Sequence, residues 1–351
     1  MGCLFGYCGK PLSDLTAGMA SSLAHRCPNG WYQETLTTSN HTATIAHGRT
    51  SWQQNDTQVV HGQHCLLGHN GILFQPKTSL QSLVQNLSPE ALTTFEGAFT
   101  LAFATQDAFY LMRDPTGVKA IYWTVCNGRL LFASEIKALF ADPATPRQLR
   151  PAAMLEYFSF SFVPSEGTMF ENIYELQPGC LLKFQDRKVD IQRYFQFDAL
   201  ADEAPMSEQS HISAVREALE ISVEECCDIA QRQTPGVFLS GGIDSSTILA
   251  MASQAMPKQR LHSFSVDFGH GETASDNARS VAKSAAQCDL SIRDAVLVLL
   301  RNLWGAHPDY TEHRSMLSCP SWVRWMVYRL LCTFFFPFNW TYARTWAGQI
   351  Y

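Results

Sequence analysis

Long uninterrupted apolar runs are missing from this sequence. The greasiest stretch, residues 323–338, is broken by Arg324 and Arg329 and is too short to span a bilayer. The opening residues lack a charged segment followed by an apolar run, so no signal peptide is expected. Charge is sparse as well. Charged residues make up 17% of the chain, the net charge is −6 and no basic cluster stands out, which argues against nucleic-acid or membrane-surface partners. The 11 cysteines show neither metal-ligand spacing nor the framework of a small secreted domain. Cys226 and Cys227 adjoin on a helical stretch and are expected to point to different faces, so a shared metal is not expected there. Free thiols in a reducing cytoplasm are the better reading. What is present, 351 residues with 46% hydrophobic content, suits a globular chain with two ordinary cores.

Residues 1 to about 195 hold many short β-runs, at 42–45, 65–67, 99–104, 109–112 and 130–132. Asn70-Gly71 and Asn127-Gly128 punctuate them as turn signals, and a helix is predicted over 12–23. These features give a first domain, 1–197, of stacked antiparallel sheets with a few helices. Residues 198–209, acidic and containing Pro205, read as a linker. A different rhythm follows. Ile212, Val215, Leu219, Val223, Cys226 and Ala230 recur at three- and four-residue spacing and predict an amphipathic helix over 211–231. Val237-Phe238-Leu239 predicts a strand, followed by a glycine turn, a helix from Asp244, a strand at 264–266 and a helix at 276–286. Strand–turn–helix repeats imply a partial α/β domain with a parallel sheet over 210–290. Beyond Leu290 the periodicity fades. Five of the eight tryptophans and six arginines fall there, no lysine follows Lys283, and Phe334-Phe335-Phe336-Pro337-Phe338 fits no regular element. Residues 291–351 are therefore read as an aberrant tail in a shifted reading frame, with a natural short variant as the alternative.

The sharpest motif is Ser240-Gly241-Gly242-Ile243-Asp244-Ser245, directly after an apolar strand and opening a helix. Glycines let backbone approach a phosphate, and the turn and helix N-terminus supply N–H donors. Ser240 and Ser245 add hydroxyls, and Asp244 can cap the helix or face a phosphate-bound metal. No Gly-Lys-Ser/Thr ending is present, so this is not the Walker-type loop. The alternative is a plain strand–helix turn. The motif resembles the pyrophosphate loop of ATP pyrophosphatases, and with Val237-Phe238-Leu239 and Leu261-His262-Ser263-Phe264-Ser265-Val266 it resembles asparagine synthetases. That resemblance implies ATP and Mg2+ as cofactors, with Leu239 and Val266 against the adenosine.

The first domain carries the same resemblance. Cys3-Leu4-Phe5-Gly6-Tyr7 is similar to the opening of class II glutamine amidotransferases. Leu23-Ala24-His25-Arg26 and Pro28-Asn29-Gly30 resemble their His-Arg-Gly-Pro-Asp-Gly stretch, and Ala46-His47-Gly48-Arg49-Thr50-Ser51 resembles their glutamine-binding arginine segment. Asn70-Gly71, Glu96-Gly97, the segment from Arg113 to Lys119, Phe132-Ala133-Ser134-Glu135 and Leu176-Gln177-Pro178-Gly179 follow in order. The resemblance implies a fold of the Ntn-hydrolase type and assigns roles. Cys3 would attack the glutamine amide, Asn70 and Gly71 would hold the oxyanion, and Arg49 would pair with the substrate carboxylate beside Thr50 and Ser51. Two departures stand out. Gly2 precedes Cys3, so removal of Met1 leaves an amide nitrogen where the family has a basic α-amine, and weak glutaminase activity is expected. The stretch between Asn70-Gly71 and Glu96-Gly97 is short and omits an Asp-containing segment, with Ile72 where a polar residue is usual.

The implied reaction is glutamine-dependent amidation of aspartate with cleavage of ATP to AMP and pyrophosphate, in small-molecule partnership with glutamine and aspartate or another carboxylate. A homodimer is a candidate assembly. The second acid-rich synthetase motif is not found after Val266, so impaired activity is expected. Two alternatives stay open: an amide- or lactam-forming cyclase similar to lasso-peptide and β-lactam synthetases, and a non-catalytic truncated product.

Overall fold

The computed structural model describes residues 2–49, 59–75, 80–84, 87–164, 166–196, 207–230, 236–240, 242–259, 261–265 and 288–292. Thr50, Ser51, Gly241, Val266, most of the expected linker, the helix expected at 276–286 and nearly all of the 291–351 tail lie outside the described residues. The chain divides into two compact units, Met1–Phe197 and Asp198–Tyr351.

The first unit is built from twelve strands and five helices among its described residues. In chain order these are β1 (Cys3–Cys8), α1 (Leu15–Ser22), β2 (Trp31–Thr37), β3 (Thr42–Gly48), β4 (Val59–His61), β5 (Leu66–Gln75), α2 (Leu80–Leu83), α3 (Pro89–Leu92), β6 (Glu96–Ala104), β7 (Phe109–Arg113), β8 (Tyr122–Cys126), β9 (Arg129–Ala133), α4 (Ile136–Leu139), α5 (Pro151–Phe160), β10 (Tyr174–Glu175), β11 (Cys180–Gln185) and β12 (Lys188–Arg193). Two six-stranded antiparallel sheets result, ordered β10-β8-β9-β1-β3-β2 and β12-β11-β7-β6-β5-β4.

Period-two alternation stacks these sheets into a helix–sheet–sheet–helix sandwich. Leu4, Ile45 and Phe132 of the first sheet meet Leu66, Ala102 and Leu111 of the second, and the Phe109 and Phe132 rings approach to 5.2 Å between centroids. The opposite face of the first sheet, carrying Cys3, Phe5, Tyr7 and Leu131, is covered by Leu15, Met19 and Leu23 around α1 and by Leu139 of α4. The outer face of the second sheet buries Phe99, Leu101 and Phe103 against Val84, Leu92 and Phe95. The inner strands β1, β6 and β9 thus feed two cores, which is why so many of their residues are apolar.

Two sequence expectations shift. The helix at 12–23 is shorter, Leu15–Ser22. Asn70-Gly71 does not form a turn but lies within β5, paired with Thr100 and Phe99 of β6. The flanking run places alternate residues in two cores, and that burial outweighs the local turn preference. Gly71 is required there for a different reason: its φ is +125° and a Cβ would collide with the Ala98 carbonyl. Asn127-Gly128, with both φ values positive, does turn the chain between β8 and β9.

In the second unit, α6 (Glu208–Ala230), β13 (Gly236–Phe238), α7 (Ile243–Ala255), β14 (Leu261–Ser265) and β15 (Cys288–Ile292) give a parallel three-stranded sheet in that order. The sequence expectation for α6 is only partly met: Val223 and Cys226 are buried, whereas Ile212 and Val215 are exposed. Burial is confined to the C-terminal half of this helix. Cys226 and Cys227 diverge by about 100° around the axis, yet both are buried.

Candidate active site

β1 lies inside the first sheet, between β9 and β3, so its start is fixed on both sides. Leu4 N–H donates to Ser134 Oγ (2.9 Å) and Ser134 N–H donates to the Leu4 carbonyl (2.9 Å), tying the Phe132-Ala133-Ser134-Glu135 segment to the residue after Cys3. Arg26 Nη2 donates to the Gly2 carbonyl (2.9 Å), holding the residue before it. Arg26 is itself oriented by Glu135, which pairs with His25 at 2.9 Å, Arg26 at 3.2 Å and Lys137 at 3.1 Å. Burial acts to raise the Glu135 carboxyl, but Arg26, His25 and Lys137 outweigh it and hold it below the ordinary carboxylate range.

Cys3 is fully buried, and its sulfur lies 3.1 Å from that of Cys27. Both sulfurs occupy the space a side chain on residue 48 would fill, because Gly48 has none. The contact with Cys27 and burial push the Cys3 thiol well above its ordinary value. Cys27 is held below its own, first by the hydrogen bond from Cys3 and then by the Arg26 guanidinium, against the cost of burial. Loss of a proton from the pair is therefore favoured at Cys27, the less enclosed residue, over Cys3.

Antiparallel register sets Cys3 opposite Gly48, so Arg49 is the next residue along β3. Arg49 N–H donates to the Gly30 carbonyl (2.9 Å), and its guanidinium lies 5.6 Å from the centre of the Tyr32 ring, with the side chain exposed to solvent. Asn70 and Gly71 belong to the facing sheet. β5 runs under β1 and β3 where a Cβ on Gly68 would meet Ile45 and Leu4. No hydrogen bond among the described residues joins Asn70 to Cys3. His47 of β3 and His69 of β5 are both buried. Burial, aided by Arg49, pushes His47 down to about 3, and burial, aided by His47 and Lys119, does the same to His69. Both imidazoles are neutral at physiological pH.

The Arg113-to-Lys119 segment plays a structural part. Asp114, fully buried, accepts from Thr116 N–H, Thr116 Oγ1, Val118 N–H and Lys119 N–H at 2.9–3.1 Å. Arg113 donates to the Lys119, Leu176 and Gly117 carbonyls at 2.7–2.9 Å. A cleft of about 440 Å3 bounded by Trp123, Cys126, Asn172 and Tyr174 opens along β8 and β10, two and three strands from β1 and so apart from Cys3.

In the second unit, Leu239 N–H donates to the Phe264 carbonyl (2.8 Å), locking the strand that delivers the loop. Ser240 and Ser245 face each other across it, with Oγ atoms 3.1 Å apart, and Gly242 N–H donates to Ser240 Oγ (3.3 Å). Leu239 is buried, whereas Asp244 is exposed in the first turn of α7. The loop thus presents the Ser240 hydroxyl and a helix N-terminus on a strand–turn–helix frame, with the Ser245 hydroxyl buried beneath them.

Sequence reasoning passed over Cys27. It lies in the gap between the matching His25-Arg26 and Pro28-Asn29-Gly30, where the resembled family has glycine; that departure was the available signal.

The profile of the glutamine amidotransferase domain matches residues 78–195, and that of asparagine synthase matches residues 214–331. The first match begins after Cys3, Arg49 and Asn70; the second runs past Leu290, where the sequence reading ends the synthetase-like part. Asparagine synthetase (glutamine-hydrolysing) 1 of Bacillus subtilis is 30% identical over 192 residues, 54% of this chain and 29% of that protein. Asparagine synthetase (glutamine-hydrolysing) 3 of the same organism is 29% identical over 175 residues, 49% of this chain and 28% of that protein. Amidase chyE of Penicillium rubens is 31% identical over 173 residues, 46% of this chain and 24% of that protein. The chain therefore spans less than a third of the length of these three relatives. Among solved structures, a glutamine phosphoribosylpyrophosphate amidotransferase of B. subtilis aligns at a TM-score of 0.39 with 14% identity, covering 84% of this chain and 67% of that one.

Proposed function

We propose, on the premise that this chain belongs to the asparagine synthetase family, that its two units serve the two half-reactions of an ATP-dependent, glutamine-dependent amide ligase. The observation that carries the reading is the β1–β3 register, which sets Cys3 opposite Gly48 with Arg49 next in line. Cys3 sulfur attacks the glutamine side-chain carbonyl and ammonia leaves. Arg49 receives the substrate α-carboxylate, and Asn70 with Gly71 supplies donors for the oxyanion.

In the second unit the Ser240–Ser245 hydroxyls and the start of α7 receive the phosphates of ATP, with Leu239 against the adenosine. Among the described residues no group of three or more His, Cys, Asp or Glu could hold a metal. Mg2+ then arrives as part of the nucleotide, and the exposed Asp244 is the carboxylate available to it. The carboxylate adenylated is aspartate, and ammonia completes the amide.

A protein that keeps Gly2 ahead of Cys3 has a peptide nitrogen there, which takes no proton from the thiol. That feature favours a second reading, in which an internal amine replaces glutamine-derived ammonia. Glutamate release from glutamine distinguishes the two. The ligase reading expects slow release that rises when Gly2 is deleted and Cys3 becomes the first residue, and that vanishes in Cys3→Ser. Release unaffected by Cys3→Ser overturns the assignment of the nucleophile. For the other unit, aspartate-dependent ATP–pyrophosphate exchange should fall in Ser245→Ala by at least about tenfold, the worth of one hydrogen bond to a charged group.

A further inference from the structure

We propose that Cys3 and Cys27 form a dithiol modification site at which a peroxide installs a reversible disulfide. The sulfurs are 3.1 Å apart and need to close by only about 1 Å to reach bonding distance. Nothing stands between them, since the space above Gly48 holds both. Their backbones are anchored independently. Cys3 is held by the ladder to β3, Cys27 by its N–H donating to the Ala24 carbonyl (3.1 Å) and its carbonyl accepting from Gly30 N–H (2.9 Å). The pair is thus presented to any oxidant as a unit.

The chemistry divides between the two sulfurs. Cys27 is the less enclosed, 8% exposed against 0% for Cys3, and the Arg26 guanidinium favours its thiolate. The Cys27 thiolate attacks one oxygen of hydrogen peroxide; the O–O bond breaks, and hydroxide leaves and is neutralised by the proton that the Cys27 thiol gave up to solvent. Cys3 sulfur then displaces the hydroxyl from the Cys27 sulfenic acid, and its thiol proton departs with that hydroxyl as water. The S–S bond forms, the sulfurs together lose two electrons and the peroxide gains them. A small thiol reverses the step by exchange. Disulfide formation stands on this geometry. Its consequence, that glutamine hydrolysis stops because the nucleophile is consumed, rests on the role proposed for Cys3.

The test uses the purified full chain and hydrogen peroxide, with free glutathione in a parallel tube to certify oxidation. After quenching with iodoacetamide and tryptic digestion, the peptide ending at Arg26 should appear joined to the peptide beginning at Cys27. Fragmentation should place the link at Cys3 rather than Cys8, and dithiothreitol should restore alkylation of both sites. Alkylation of Cys3 and Cys27 should be lost together. In Cys27→Ser, shown folded by circular dichroism, Cys3 should remain fully alkylated after the same treatment. The proposal is overturned if Cys27 accumulates as sulfinic acid with Cys3 still alkylated. It is equally overturned if both thiols stay reduced while glutathione is oxidised. Neither result depends on glutaminase activity, so the two readings fail separately.

Discussion

Gly48 shows how much one missing side chain decides. Its backbone continues the β3 ladder opposite Cys3, and its lack of a Cβ makes the room in which two sulfurs meet. Gly48→Ala places a methyl inside contact distance of both. The Cys27 backbone is held in the Ala24–Gly30 turn, and Cys3 is held within a sheet. Overpacking of this kind costs about 1–3 kcal/mol, which should appear as a lower urea midpoint for Gly48→Ala. The same variant should form little Cys3–Cys27 disulfide under peroxide. A midpoint equal to that of the parent would mean that the two sulfurs are not confined as described.

Among the elements, the connection from β7 to β8 is the most tightly wired. Asp114 satisfies three backbone N–H groups and a hydroxyl while fully buried, and the neighbouring Arg113 spends its guanidinium on three carbonyls and on Glu175 at 2.7 Å. Asp114→Ala strands buried donors and is expected to cost about 3–5 kcal/mol, whereas Asp114→Asn, which keeps an acceptor, should cost about 1–3 kcal/mol. Denaturant unfolding of the two variants checks the order. This segment was legible in the sequence as part of a family resemblance, but its work is architectural, and only the hydrogen bonds reveal that. The β-runs were legible because a strand that faces two cores reads as a short continuous apolar run. Asn70-Gly71 was misread as a turn because dipeptide preference is local, while the ladder with Thr100 and Phe99 is set by residues far along the chain. Arg49 could be picked out because it sits in a stretch of matching residues. Cys27 could not, because its meaning depends on a sulfur 24 residues away.

At the scale of the whole first unit, the stacked sheets carry a pH dependence in their interior. His47 and His69 are held neutral, with values near 3 against about 6.5 in an unfolded chain. Between those values the unfolded state binds more protons than the folded one, so stability is full above about pH 6.5 and falls as pH drops toward 3. At pH 5 each imidazole withdraws about 2 kcal/mol relative to pH 8. Urea midpoints at the two pH values should differ clearly in the parent and by roughly half as much in His47→Gln, if that variant folds with its interior dry. A slope unchanged by His47→Gln and by His69→Gln would assign the acid sensitivity elsewhere.

The clasp on Gly2 bears on the order of events during biosynthesis. Gly2 is buried and its carbonyl is held by Arg26, which Glu135 holds in turn. Glu135 lies beyond β9, so the clasp closes only after more than a hundred residues have been made and the first sheet has assembled. A peptidase that exposes Cys3 as a first residue finds its substrate extended on the nascent chain and shut away in the finished fold. Any trimming that frees Cys3, as the role proposed for it requires, then competes with the folding of the first unit.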